Sequence, residues 1–335
     1  VAYKNLVSVE CVSRTELFKR FRDFVCKRNG SYDYSAAGIG WTLHDAVYAV
    51  DEDTISTNDY FVIYSPGENG NEDLYFKCSF LASSIQLIGY LYWNASTHAG
   101  VQAYNGNFNW PIDDAMVPVL WAYGDLNAIF AIARASTVAS EFYGMPIGKG
   151  AHPVLGEDIV SSAGALTSGA DKVIDVGTVP ASWQVGQKIF IRDNANVDRI
   201  TISAMTGSTI TATLARAYDA GAKLSAYVGY YCTGGDQLTS QFYWLIDGDG
   251  NKNTNSGGWK SDATLVTYGN PDPLTGKYLM TPLYTGGTSM GLMGFMRDVY
   301  RRPDGVTALD VHVVAGVSYR AFLLYSNMAI MVKEV

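Results

Sequence analysis

Between Asp171 and Tyr227 the sequence falls into short alternating polar and apolar runs separated by turn residues, and that spacing leaves little room for a helix. Val185, Lys188, Phe190 and Arg192 lie among the alternating faces of one strand, and Val197, Ile200, Ile202 and Ala204 begin the next. Met205-Thr206-Gly207-Ser208 fits a tight hairpin turn with a residue tolerant of positive φ, after which Thr209 to Thr213 resumes a β-branched run. About four or five strands in so short a stretch predict a small, self-contained β module. The chain on both sides is richer in aromatics. Residues 171–229 therefore read as an insertion, 151–170 as its linker, and 1–150 with 230–335 as one discontinuous β-rich body.

A chain of 335 residues can bury a sizeable core, and 48% hydrophobic against 17% charged residues excludes disorder. The 34 glycines and 23 tyrosines favour short strands and tight turns over a helical bundle. The expected class is mainly β with an α+β flank: antiparallel sheets, one N-terminal amphipathic helix and an inserted β-barrel-like module. A net charge of −8 argues against a general affinity for nucleic acid. Cys11, Cys26, Cys78 and Cys232 lack any CxxC spacing, so buried free thiols are expected rather than a metal framework. The N-terminus lacks a signal-like pattern and no run of eighteen apolar residues occurs, so a soluble protein with no membrane span, made in a cytoplasm, is expected.

Ser13-Arg14-Thr15-Glu16 has the form of a capping box, with Leu17, Phe18, Phe21, Phe24 and Val25 following at helical spacing and Asn29-Gly30 as the stop. Arg14, Lys19, Arg20, Arg22, Lys27 and Arg28 make the other face basic. That face is either solvated or a contact for nucleic acid or an acidic neighbour. Residues 1–30 hold seven basic and three acidic side chains, a local +4 that suits charge-complementary contacts between copies or partners.

Tyr60–Tyr64 and Leu74–Phe80 read as a hairpin, and Ile85–Trp93 as a third strand apolar on both faces. Residues 94–109 read as a polar, aromatic contact loop. Leu126–Ala133 is expected as a strand, with a helix over 125–142 as the competing reading, and Ser136–Tyr143 as its possible partner. Past the module, a strand from Ser240 to Ile246 is expected to pair with Thr264–Tyr268. Residues 274–307 read as an irregular, methionine-containing stretch, and the close reads as a terminal hairpin with a last edge strand.

The chemistry-bearing candidates are weak. Asp247, Asp249 and Asn251 have calcium-loop spacing, but Lys252 replaces the turn glycine and Gly258 the bidentate acid, so a plain hairpin loop is the better reading. Gly148-Lys149-Gly150 lacks the spacing of a phosphate loop. His44, His98, His152 and His312 have no triad or metal-pair context. Neither a catalytic residue nor a cofactor is expected. Tyr92, Trp93, Tyr104, Trp110 and Trp259 are candidates for interfaces or for stacking on a glycan.

The runs Val185–Ile191, Arg199–Ile202, Thr206–Thr211 and Ala217–Ala222 resemble a small β module found inside virion structural proteins of tailed bacteriophages. The flanks are similar to such proteins too, in YFVIYSPGENGNEDLYF, GYLYWN, LNAIFAIARASTVASEFYG and DVHVVAGVSYRAFLLYSNMAIMV. The resemblance implies a component of the virion tail, baseplate or neck/collar, present in several copies. Its partners would be other virion proteins, copies of itself and, on the alternative reading, a host surface receptor or glycan.

Overall fold

The computed structural model describes residues 3–26, 38–68, 70, 73–102, 108–112, 117–134, 142–149, 158–226, 230–234, 241–244, 258–260, 280–287, 291–302, 306–324 and 328–335. Among them the chain is mainly β, in antiparallel sheets, with one helix.

That helix, α1 (Arg14–Cys26), starts where the sequence placed it. Ser13 Oγ accepts the Glu16 N–H at 3.1 Å, while the Glu16 carboxylate accepts the N–H of Val12 at 2.6 Å, one residue upstream of the position a capping box uses. Leu17, Phe18, Phe21, Phe24 and Val25 are buried as their spacing requires. The expected stop at Asn29-Gly30 lies outside the described residues.

The basic face is not a solvated stripe. Arg14 and Arg22 are buried, because neighbouring loops supply matched acceptors. Arg14 donates to the carbonyls of Ala82 (2.9 Å) and Ile112 (3.4 Å), its guanidinium 4.5 Å from the Phe80 ring centroid. Arg22 donates to Asp23 (2.7 Å), the Glu52 carbonyl (2.8 Å) and Tyr48 OH (3.2 Å). Lys19 reaches the Asp53 carbonyl and Arg20 the Glu16 carboxylate. Lys27 and Arg28 lie outside the described residues.

The body begins with strands β1 (Lys4–Glu10), β2 (Thr42–Val47), β3 (Tyr60–Ser65), β4 (Leu74–Phe80), β5 (Ser84–Asn94), β6 (Ala99–Gln102) and β7 (Phe108–Pro111). Strands β2 to β7 form a six-stranded sheet in the order β2-β3-β4-β5-β6, with β7 also on β5. Residues 94–109, expected as a loop, thus contain the β5–β6 turn, β6 and the start of β7; the Asn94 side chain closes the hairpin turn by accepting the N–H groups of Ser96 and Thr97.

Next come β8 (Val119–Gly124), β9 (Ala128–Arg134) and β10 (Phe142–Lys149). The strand reading of residues 126–133 holds, and β10, which pairs with β9, lies mostly beyond the expected partner. Strands β8 and β9 are apolar up to the closing Arg134 because both of their faces are covered. Leu120, Ala122, Ile129 and Ala131 join the core under α1 and the six-stranded sheet. Trp121, Tyr123, Phe130 and Ile132 join a second core with Phe142, Val299, Phe322 and Ile330. There the rings of Trp121, Phe142 and Phe322 meet edge-on, every pair 5.6 Å apart.

The module holds β11 (Ile159–Ser161), β12 (Gly169–Asp175), β13 (Lys188–Arg192), β14 (Val197–Thr201), β15 (Ala204–Met205), β16 (Thr209–Leu214) and β17 (Lys223–Ser225). Their ladders make a four-stranded sheet, β11-β17-β13-β14, and a three-stranded sheet, β12-β16-β15. Between them lie Ile174, Trp183, Ile189, Ile191, Ile200, Ile210 and Leu224. The expected linker is partly strand: β11 pairs with β17, and Leu166 bridges to Tyr218. Its Gly, Ser and Ala content hid so short a strand. The expected hairpin at Gly207 forms, but without positive φ there; Thr206 Oγ1 closes it by accepting the N–H groups of Ser208 and Thr209.

The chain then runs through β18 (Tyr230–Gly234), β19 (Gln241–Trp244), β20 (Gly258–Lys260), β21 (Thr281–Gly287), β22 (Gly291–Arg302), β23 (Val311–Val314), β24 (Val317–Leu324) and β25 (Met328–Glu334). With β1, β8, β9 and β10 these make a twelve-stranded sheet along β1-β8-β9-β10-β24-β25-β22-β21-β20, with β18 on β10, β19 on β18 and β23 on β24. Two expectations change here. Residues 281–287 and 291–302 pair as β21 and β22 rather than forming an irregular stretch, their alternation scrambled by two register shifts. Strand β25 is interior, between β24 and β22, not an edge. The expected partner of β19 at 264–268 lies outside the described residues.

Chain segments on either side of the module are neighbours: Ile147, Gly148 and Lys149 of β10 pair with Cys232, Tyr231 and Tyr230 of β18. On its outer side, β13 turns Phe190 toward the body, where Phe190 and Val197 belong to the core under α1.

Candidate functional site

Strands β3, β4 and β5 bury one face under α1. The opposite face carries Tyr60, Tyr64, Tyr75, Lys77, Ile88 and Tyr90, all half-buried. Register explains the gathering, since Tyr64, Tyr75 and Tyr90 stand opposite one another across three strands. A register shift between Tyr90 and Tyr92 then brings the next rings into the same cluster: Trp93 sits 4.7 Å from Tyr90, and Tyr92 6.2 Å from Tyr75. A second shift, between Leu43 and Asp45 on β2, puts His44 against both Tyr64 (5.8 Å) and Tyr75 (5.1 Å).

Lys77 lies inside this face, its ammonium 3.7 Å from the Tyr60 ring centroid and 5.5 Å from that of Trp93. Burial holds its pKa below the ordinary lysine value. Burial also raises the phenols: Tyr75 to about 12, helped by the Asp73 charge, and Tyr60, Tyr64 and Tyr90 in the same direction.

Each end of the aromatic face is polar. At one end the Asp45 carboxylate, 5% exposed, accepts Trp93 Nε1–H at 2.7 Å and stands 3.0 Å from Nδ1 of exposed His98; His44 Nε2 is 3.1 Å from the Trp93 carbonyl oxygen. At the other end Tyr64 OH donates to Asp73 at 3.1 Å, and Asp73 is ion-paired with Lys223 of the module. There an open cleft of about 160 Å³ lies beside the junction, lined by Asp73 of the body and, from the module, by Arg192, Asp193, Asn194, Asp219 and Lys223 together with residues 220–222.

Of the aromatic candidates, the structure keeps one on this face as a half-buried ring, Tyr92. Trp93 (2% exposed) is spent on Asp45, Tyr60 and Tyr90, and Trp110 (0%) packs edge-on to Phe21 in the core, so neither offers a free stacking surface. Trp259 lies on β20, in the twelve-stranded sheet rather than the six-stranded sheet that carries the tyrosines. Tyr104 and the Asp247, Asp249 and Asn251 loop are outside the described residues. Sequence reading missed Tyr60, Tyr64, Tyr75 and Tyr90 as a group because they come from three separate strands; the signal was the tyrosine at the same phase of β3, β4 and β5.

Chemically, this arrangement can stack, hydrogen-bond and exclude water. Among the described residues no three His, Cys, Asp or Glu side chains converge on a metal position, and burial pushes the Cys11 thiol up to about 12, away from the thiolate. No described helix is long and apolar enough to cross a membrane. No family model and no curated protein matches the chain.

Proposed function

We propose that the chain is a non-enzymatic structural component of a tailed-bacteriophage particle, in its tail, baseplate or neck/collar, assembling through protein–protein interfaces with copies of itself and other virion proteins. The observation that carries this reading is β23. Val311 (47% exposed), Val313 (67%) and Val314 (46%) lie together on a strand that, among the described residues, is paired on one side only, by β24. An uncharged strand edge with exposed valines suits strand pairing or apolar docking. Residues 171–229, read as a barrel-like module inserted into the body, would be carried on this assembly; the adjacency of β10 and β18 supports the insertion. Light scattering of the purified chain tests the reading: it is expected to self-associate or to bind other particle proteins, and Val313→Asp to weaken that association without lowering stability. A strict monomer with no affinity for the other particle proteins would overturn it.

A second reading, a virion module that binds a host receptor or glycan, is favoured by the tyrosine face and the polar cleft at its end. Binding to immobilised bacterial surface glycans, lost on Tyr92→Ala or on substitution in the cleft, would support it.

A further inference from the structure

We infer that the cleft between module and body is a binding site for a single polyhydroxylated residue, such as a pyranose of a surface glycan; this deepens the second reading above and rests on it. The cleft is open and polar, and its volume of about 160 Å³ would hold roughly ten waters or one sugar ring.

Its groups divide into a fixed frame and a free pair. Asp193 is fixed: Oδ1 accepts the N–H groups of Ala195 (2.8 Å) and Asn196 (2.6 Å), and Oδ2 that of Asp219 (3.1 Å). Asp73 is held by Tyr64 OH and Lys223. Arg192 is buried at the end of β13. By contrast, the Asn194 amide and the Asp219 carboxylate are exposed and make no hydrogen bond among the described residues, although both line the cleft. The frame therefore holds two unspent groups, one an amide that both donates and accepts and the other a carboxylate that accepts.

Charge decides the class of ligand. A bare divalent cation would find oxygens on Asp73, Asp193 and Asp219, but would share the space with Arg192 and Lys223. An anion would meet three carboxylates. A polyol avoids both penalties, because each hydroxyl donates to a carboxylate and accepts from an amide or cation at once. The tyrosines continue the site outward: Tyr64, bonded to Asp73, stacks on Tyr75 with centroids 4.8 Å apart, and Tyr75 leads to Tyr92. A glycan chain anchored by one ring in the cleft would meet these rings next.

The test is saturation-transfer NMR on the full chain with glucose, galactose, mannose, rhamnose and N-acetylglucosamine as probes, followed by titration of any that binds. At least one is expected to bind, with affinity about tenfold weaker in Asn194→Ala and in Asp219→Ala. Both positions are exposed, so thermal melts should be unchanged. Binding that survives both substitutions but is lost in Tyr92→Ala would overturn the cleft and leave the glycan reading standing. Absence of binding by all five sugars, together with no retention on immobilised bacterial surface glycan, would sink both.

Discussion

At the scale of single residues, two glycines and a tyrosine carry expectations that backbone geometry or burial alone decides. Gly207 has ordinary negative-φ backbone and open space where a Cβ would go, so Gly207→Ala should raise stability by about 0.4–1 kcal/mol by restricting the unfolded chain. Gly186, with equal space but φ of 86°, should lose stability on the same change. Urea midpoints of the two variants, compared with the parent, check this pair. If both shift the same way, open space rather than backbone sign governs the turns. Tyr75 makes a pH prediction. Its folded pKa of about 12 exceeds the value of about 10 in an unfolded chain, so the folded state holds the proton more tightly. The stability this confers is complete below about pH 10 and is lost as pH rises through about 12. Tyr75→Phe should therefore flatten the fall of the urea midpoint over that window, and an unchanged slope would mean that Tyr75 titrates like a solvated phenol.

At the scale of elements, what was legible followed strict alternation and what was not followed its interruption. Leu74, Phe76, Cys78 and Phe80 all turn one way, and the β3–β4 hairpin was readable from them. The β21–β22 pairing was not, because register shifts near Pro282 and Thr285 break the period of two over which such reading works. Helix α1 was legible on its apolar side only. Whether Arg14 and Arg22 meet water or carbonyls depends on the segment around 48–53 and on the chain at Ala82 and Ile112, and spacing within the helix carries no trace of those. The aromatic face was hidden for the same reason twice over, since the shifts at Leu43/Asp45 and Tyr90/Tyr92 decide that His44 and Trp93 join the tyrosines. The β5–β6 hairpin also depends on a close approach. A Cβ on Gly100 would lie 2.5 Å from the Tyr92 carbonyl oxygen and 2.7 Å from both the Trp93 and Tyr90 rings. A backbone oxygen in a ladder cannot retreat, so Gly100→Ala should cost about 1–3 kcal/mol and perturb the near-UV signal of the Tyr90–Trp93 pair. Loss of stability with that signal intact would place the strain elsewhere on the hairpin.

At the scale of the whole molecule, the question is whether the module is an independent folding unit or a wall of the body. Its own core, Ile174, Trp183, Ile189, Ile191, Ile200, Ile210 and Leu224, is closed by two sheets and, among the described residues, draws no side chain from outside. Its exit and re-entry strands, β10 and β18, are already paired, so a short Gly/Ser link from Lys149 to Tyr230 would span little distance. Against this, Phe190 and Val197 are buried in the body's core and the Lys223–Asp73 ion pair crosses the junction. Excision of 158–226 would remove those two side chains from the core under α1, and loss of the Phe190 ring alone is of the order of a Phe→Ala core substitution, about 3–5 kcal/mol. The isolated segment 158–226 is accordingly expected to unfold cooperatively, with its apolar Phe190 side newly exposed. The excised body should keep its β-rich circular dichroism but unfold at lower urea. Chemical denaturation of both pieces beside the full chain measures this directly. If neither piece folds, the body and module share one cooperative core, and the cleft between them becomes a crevice within a single domain rather than a junction of two.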